Sequence, residues 1–285
     1  MSASLSAEGA SLAAQGRRPG DLARSWLRIR AIARRHAYVL LRSPHRLFDV
    51  TIWPLVDVLL FGSLGVFVSR QAGAGPIAFA YLLSGIVLWH VVYQSQIALS
   101  TGLLEETWSR NLLNLMVTPL TEAEYVLGVM LFGMVKLAIG VGVVAFTALG
   151  FYAFNVTNLG WEVLPVAAIL LTVGWVIALF VIGFVLRFGS GAEALAWGIL
   201  FMVMPLSGVF YPVKALPAVL RPIAEALPTT HAFAAGRALL VHRGLAWGQV
   251  GIAAASTVAL LAVAFVFVTA MLGLFRRRGY ITRYS

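Results

Sequence analysis

Four ionisable side chains lie inside or beside long apolar segments and are the first candidates for chemistry: Asp57, Lys136, Glu162 and Glu193. Counted at 1.5 Å per residue, Asp57 and Lys136 lie roughly 16 and 18 Å deep, near the middle of a hydrocarbon layer. A charge at that depth needs a partner or water, so it marks a candidate functional position. We expect Asp57 and Lys136 to form an intramembrane ion pair. A structural role for this pair in helix packing is favoured over a role as a proton or substrate site. Glu162 and Glu193 should reach water.

Polar side chains also occupy the later half of the apolar segment 77–101, where His90, Tyr93, Gln94 and Gln96 interrupt an otherwise hydrophobic run. One flank of this half, together with Asp57, is a candidate substrate pathway made of Asp57, Tyr93, Gln94 and Gln96. Hydrogen bonding between membrane helices explains the same residues equally well.

The sequence lacks the motifs of nucleotide hydrolysis. A Gly-rich phosphate cradle ends in Lys followed by Ser or Thr, and neither Lys136 nor Lys214, the two lysines of the chain, has that context. The chain has no cysteine and no His-Glu-x-x-His helix. We therefore expect no catalytic residue, no metal site and no cofactor on this chain.

The elements that must position these residues are membrane helices. The chain has 285 residues, of which 60% are hydrophobic and 11% charged, whereas a soluble domain carries about 25% charged residues. The apolar blocks are continuous and about 20 residues or longer, which favours helices over a barrel. We predict an all-α polytopic membrane protein with six transmembrane helices, at 47–68, 77–101, 122–154, 163–186, 192–211 and 250–275.

Around this domain the sequence predicts three further parts. Residues 1–20 form a flexible tail, and residues 21–46 an amphipathic interfacial helix with Asp21 as its N-cap. Residues 47–275 form a single six-span domain, and residues 276–285 a basic tail. Arginines concentrated at both ends place both termini in the cytoplasm, and this placement explains the net charge of +10 better than a nucleic-acid partner. The basic residues of 212–246 oppose this topology, and a seventh span near 227–243 stays open.

The segment 103–120, between spans two and three, is too polar to span and too apolar for an idle loop. Leu112, Leu115 and Met116 share one helical face, and Thr121 with Glu124 forms a capping box that starts span three. We expect a short cytoplasmic helix held between two spans. It either docks into a groove of another protein or lies on the lipid surface.

A proline-rich segment precedes the last span. Five of the 11 prolines lie within 24 residues, at positions 205, 212, 217, 222 and 228. A continuous membrane helix is impossible there, so we expect short re-entrant half-helices over about 208–246 that cap a pathway on the outer side. An ordinary outer loop is the alternative.

The order of these parts resembles the permease subunits of type 2 ATP-binding-cassette (ABC) exporters, over nearly the whole chain from about residue 21. The motifs that carry the resemblance run from Asn111 to Leu120 and from Ser207 to Pro212, with Leu216-Pro217 and the run from Leu227 to His231. The resemblance implies two permease copies, a homodimer or a heterodimer. It also implies two separate ABC ATPase subunits that hold ATP and Mg.

The resemblance also assigns roles to residues. It implies that the ATPase-coupling residues are Glu105, Glu106, Trp108, Arg110, Asn111, Leu112, Leu113, Met116, Thr118 and Pro119. It implies that the extracellular gate is formed by Phe210, Tyr211, Pro212, Leu216, Pro217, Pro228, Thr229, Thr230 and His231.

The function expected from the resemblance is export by alternating access in the bacterial cytoplasmic (inner) membrane. The cargo would be an amphipathic drug, a lipid or a lipid-linked glycan. Two alternatives come from other classes: a proton-coupled secondary transporter that uses Asp57, and a membrane scaffold without transport.

Overall fold

The computed structural model describes residues 19–71, 75–108, 118–240 and 244–277. Over these ranges the chain is helical, without strands. The α-helices in chain order are α1 (Pro19–Leu41), α2 (Pro44–Gln71), α3 (Gly75–Trp108), α4 (Glu122–Tyr152), α5 (Val163–Phe188), α6 (Ala194–Leu206), α7 (Arg221–Ala226), α8 (Pro228–Leu240) and α9 (Trp247–Arg277). Short 3-10 helices lie at Val156–Leu159, Ser190–Glu193 and Val213–Ala215.

Five of these helices are long and apolar enough to cross a membrane: α2, α3, α4, α5 and α9. The span predicted over 192–211 differs, because it is an α-helix only over the 13 residues of α6. At 1.5 Å per residue, α6 is about 20 Å long, short of a ~30 Å hydrocarbon layer. Pro205 lies one residue before its end, and Gly208 follows in a turn with a φ of +67°. The prediction of six full-length spans is therefore not confirmed.

The amphipathic helix α1 is confirmed, but it begins at Pro19 rather than after an N-cap at Asp21. Proline is favoured at the first helical position, where its missing N–H has no intrahelical partner to lose. Asp21 thus lies within the first turn of α1 rather than before it. At the other end, α1 stops at Leu41 rather than at residue 46, and Arg42 and Ser43 separate it from α2.

Helix α3 lies at the centre of the fold, with 94% of its apolar window buried. Its neighbours approach closely because small residues lie at the contacts. A Cβ at Gly174 of α5 would overlap the side chain of Ser95, and a Cβ at Gly85 would overlap the carbonyl oxygen of Val209. Such small-residue contacts are typical of helix packing in membranes.

Contacts between distant residues define two ends of the bundle. At one end, called the linker end, Glu105 at the end of α3 and Glu124 at the start of α4 contact the region of α1 and the start of α2. At the opposite end, Phe79 of α3 packs against Tyr152 and Phe154. The proline-rich segment lies in this opposite half, beside Gly85, Leu88 and Trp89 of α3.

The possible seventh span near 227–243 is represented by α8, which has 13 residues and is not among the helices long enough to cross a membrane. It begins at Pro228 and buries Thr229, Ala232, Phe233 and Gly236 against the bundle. A Cβ at Gly236 would come within 2.9 Å of Cδ1 of Leu88, so α8 approaches α3 closely at this glycine.

Candidate functional site

Asp57 lies in the middle of α2 and faces His90 of α3. The Oδ2 atom of Asp57 is 3.8 Å from the Nε2 atom of His90, beyond hydrogen-bond distance. The two side chains differ sharply in exposure: His90 is 1% exposed, whereas Asp57 is 38% exposed. The carboxylate therefore lies on an open face of the chain, with the imidazole behind it.

The predicted Asp57–Lys136 ion pair is wrong. The Nζ atom of Lys136 lies 4.0 Å from Oδ2 of Asp49, eight residues earlier on the same helix as Asp57. Lys136 is buried, and the charges of Asp49, Glu105 and Arg46 all act on it. The ammonium group of Lys136 is thus part of a cluster of charged side chains near the linker end, and it is not the partner of Asp57 in the middle of the bundle.

The register of α2 and α4 explains this difference. The two helices run in the same direction, since Val50 packs beside Phe132 at one end and Tyr152 donates a hydrogen bond to the carbonyl of Leu59 at the other. Asp49 is the sixth residue of α2 and Lys136 the fifteenth of α4. A depth counted from the first residue of each span is correct only if the helices begin at the same level. Here α4 begins nine residues, or about 14 Å, further out than α2.

Gln94 and Gln96 do not line an open path in this structure. They are 1% and 0% exposed. Gln96 donates from Nε2 to Oγ of Ser100 at 3.0 Å, and the amide of Gln94 lies against Gly140 of α4. The buried amide of Gln94 has no hydrogen-bond partner among the described residues, and Gln96 bonds to a residue of its own helix, so hydrogen bonding between helices stays a prediction for these residues.

Tyr93, the fourth member of the predicted pathway, stays partly exposed and joins an aromatic group. Its ring centroid lies 6.0 Å from that of His90 and 6.1 Å from that of Trp197 on α6. The charges of Asp49 and Asp57 both act on its hydroxyl. One turn beyond Asp57 on α2, Phe61 stacks on Phe210 with a centroid distance of 4.2 Å.

Two ionic contacts hold the ends of the segment 103–120, which we call the linker. Near its beginning, Arg46 at the start of α2 donates from Nη1 to Oε2 of Glu105 at 2.8 Å. After it, Arg28 of α1 makes a two-point contact with Glu124 of α4, at 2.6 Å through Nη2 and at 2.9 Å through Nε.

Glu124 has three roles at once. Its backbone N–H donates to Oγ1 of Thr121 at 3.2 Å, and its carboxylate accepts from the backbone N–H of Thr121 at 3.0 Å. The predicted capping box is therefore confirmed. The same carboxylate accepts a hydrogen bond from Ser25 of α1, besides the contact with Arg28. Ser25 and Arg28 are not among the residues predicted from the sequence. The one available signal is that Arg28 has no acidic residue three or four positions away on α1, which indicates a charged partner on another element.

Half of the ten coupling residues implied by the resemblance lie outside the described residues: Arg110, Asn111, Leu112, Leu113 and Met116. Glu106 and Trp108 belong to the last turn of α3, although their side chains are likewise not described. Residues 103–108 therefore continue α3 rather than forming part of a separate helix. Thr118 and Pro119 lie in an exposed bend just before α4.

The proline-rich segment folds back on itself through hydrogen bonds between its two arms. Oγ of Ser207, after α6, and Oγ1 of Thr229, at the start of α8, lie 2.6 Å apart and are fully buried. Thr230 donates to the carbonyl of Ala224 at 2.5 Å. The turn between the arms carries Val209, which is fully buried against α3.

The outer part of this segment is held by His231 and Arg221. His231 lies 2.7 Å from Oε1 of Gln249 on α9 and 2.8 Å from the carbonyl of Glu225. Arg221 donates to the carbonyls of Leu216 and Lys214. Of the remaining predicted gate residues, Leu216 and Pro228 are buried, Tyr211 is half-buried, and Pro212 and Pro217 are exposed.

Within the described residues, no group of three or more His, Cys, Asp or Glu side chains could hold a metal ion. The chain belongs to the ABC-2 type transporter family, whose sequence pattern matches residues 27–241. A search of the curated proteins returned no match. Members of this family are the membrane component of a transporter and work with ABC ATPase components.

Proposed function

We propose that this chain is the permease of an ATP-driven exporter in a bacterial cytoplasmic membrane. Two copies form the path, and two ABC ATPase subunits, which bind ATP and Mg, drive it from the cytoplasmic side. The cargo is an amphipathic drug, a lipid or a lipid-linked glycan, which leaves the cytoplasm or the inner leaflet by alternating access.

The clamped linker is the observation that carries this proposal. Glu105, near the beginning of the linker, is held by Arg46, and Glu124, four residues after its end, is held by Arg28. A displacement of the end of α3 or of the start of α4 would therefore be passed on to the start of α2 and to α1. A rigid coupling of this kind lets ATP-driven closure of a partner bias two arrangements of the permease.

The proline-rich segment supports the outward direction of transport. Its turn lies against α3 in the half of the bundle away from the linker, where Phe210 covers Phe61. In the proposed cycle the segment 207–231 is the gate on the outer side. Cargo moving along α2, α3 and α6 passes this gate last.

Capture of the ATPase tests the coupling. A Leu112→Asp, Met116→Asp double variant places two charges on the apolar face of the linker, and we expect it to lose the co-expressed ABC ATPase in an affinity pull-down. Asn114→Asp is the matched control, since helical spacing puts Asn114 off that face. The proposal fails if the double variant binds the ATPase as wild type does and cargo still stimulates ATP hydrolysis.

A proton-coupled secondary transporter is the second candidate, favoured by the 3.8 Å approach of His90 to Asp57 within the membrane segments. A carboxylate facing a buried imidazole is a plausible proton site. The two functions separate in proteoliposomes: proton-coupled transport collapses with the proton gradient and ignores ATP, whereas the proposed export requires ATP and its ATPase.

A further inference from the structure

The open carboxylate of Asp57 has no cation of its own among the described residues. The nearby basic groups are engaged elsewhere: Lys136 lies beside Asp49, and Arg46 beside Glu105. His90 approaches only to 3.8 Å. An exposed carboxylate midway along a membrane helix is costly unless water or a cationic group covers it.

Aromatic residues lie one turn to either side of Asp57 along α2, and another aromatic group lies beside its neighbour His90. On α2 itself, Trp53 and Phe61 lie one turn before and one turn after Asp57, and Trp53 is 53% exposed. Across from α2, Tyr93 packs against Trp197, which is 40% exposed. The faces of such rings attract cations through their quadrupoles.

A headgroup rich in hydroxyls fits this surface less well. The amides that could bind hydroxyls are Gln94 and Gln96, and both are buried among helices instead of facing the path. A glycan would therefore leave most of its polar groups without partners here. An anion would be repelled by the open carboxylate of Asp57.

We infer that Asp57, with the rings of Trp53, Tyr93 and Trp197, recognises a lipophilic cation such as a quaternary ammonium or phosphonium compound. This inference rests on the proposed export function and narrows its cargo to cationic amphiphiles. Asp57 supplies the charge, and the rings supply the cation–π contacts and the apolar surface.

Equilibrium dialysis on the full chain in nanodiscs tests this site with tetraphenylphosphonium as the probe. Tetraphenylborate, which has the same shape and the opposite charge, is the comparison ligand. We expect saturable tetraphenylphosphonium binding that tetraphenylborate does not displace, and a loss of about tenfold or more in affinity for Asp57→Asn. Trp197→Ala should weaken binding several-fold.

Two variants keep the test independent of folding. Asp57→Glu retains the charge and should bind within about threefold of wild type. Glu162→Gln removes one negative charge from an exposed position before α5 and should bind as wild type does. Asp57→Asn should elute from a sizing column at the wild-type position.

Three results would overturn the inference: Asp57→Asn binding tetraphenylphosphonium as wild type does, tetraphenylborate competing equally, or Asp57→Asn changing the oligomeric state instead of affinity. Each leaves the pull-down of the ATPase unaffected. A failure of the cation site is thereby distinguished from a failure of the proposed export function.

Discussion

At the scale of single residues, Glu124 carries more of the structure than its place in the sequence indicates. One carboxylate closes the capping box of α4 and accepts hydrogen bonds from both Ser25 and Arg28 of α1. The side chain of Glu124 is 8% exposed, whereas that of Arg28 is 32% exposed. The ion pair is thus partly shielded from water, and loss of Arg28 would leave the carboxylate of Glu124 poorly solvated.

Replacing Glu124 tests this arrangement. Glu124→Ala removes a cap and a charged contact, and we expect a loss of roughly 1–2 kcal/mol, measured as a lower temperature of thermal inactivation in detergent. Arg28→Met should have a smaller effect because the capping box remains. Combined, the two changes should cost little more than Glu124→Ala alone, and fully additive losses would contradict the contact.

The residue scale also shows where the sequence is informative. The capping box follows from Thr121 and Glu124 alone, because its geometry is local to one helix turn. The partners of Lys136 and Asp57 depend on the register between α2 and α4, and no local pattern encodes that register. The residues of the predicted substrate pathway show the same limit. The sequence does not distinguish buried Gln94 and Gln96 from the more exposed Asp57, because burial depends on how the helices pack.

At the scale of elements, close approaches to α3 fix the position of the proline-rich segment. Gly85 admits the carbonyl of Val209 where any side chain would overlap it. The sequence predicts that this segment breaks because five prolines interrupt it, yet it contains no signal that the turn docks at Gly85. Helix α6 is short for a related reason: Pro205 and Gly208 end it, although the apolar residues alone would allow a longer helix.

A pair of glycine substitutions measures this approach. Gly85→Ala should lower thermal stability, because its Cβ displaces the turn at Val209. Gly142→Ala, on α4 with nothing within 4 Å of an added Cβ, should be neutral or stabilising by up to about 1 kcal/mol through helix propensity. Equal effects of both changes in a thermal inactivation assay would show that the turn does not contact α3.

At the scale of the whole molecule, the side of the membrane that faces each loop remains a prediction. Residues 207–236 lie in the half of the bundle opposite the linker, although their positive charges would favour the cytoplasm. The family assignment and the helical, apolar character follow from composition and motif order. The count of crossings does not follow, because α6 is shorter than a bilayer is thick.

Single cysteines resolve the topology, and the chain is suited to them because it contains no native cysteine. In intact cells a membrane-impermeant maleimide should label Asn158→Cys and Lys214→Cys, both of which replace exposed residues. Thr118→Cys, at the exposed bend before α4, should react only after permeabilisation. Labelling of Asn158→Cys without Lys214→Cys would mean that α6 does not carry the chain across.

The central position of α3 has a consequence for how this protein reaches the membrane. Its apolar window has a mean hydropathy of 1.3, against 1.9 to 2.8 for the other four long helices. The polar side chains responsible include His90, Gln94 and Gln96, and neighbouring helices complete their surroundings: His90 faces Asp57 of α2, and Gln94 lies against Gly140 of α4. During biosynthesis α3 should therefore insert into the lipid bilayer less readily than the other long helices. A nascent chain halted before α4 emerges should leave α3 poorly inserted and accessible to quality-control proteases.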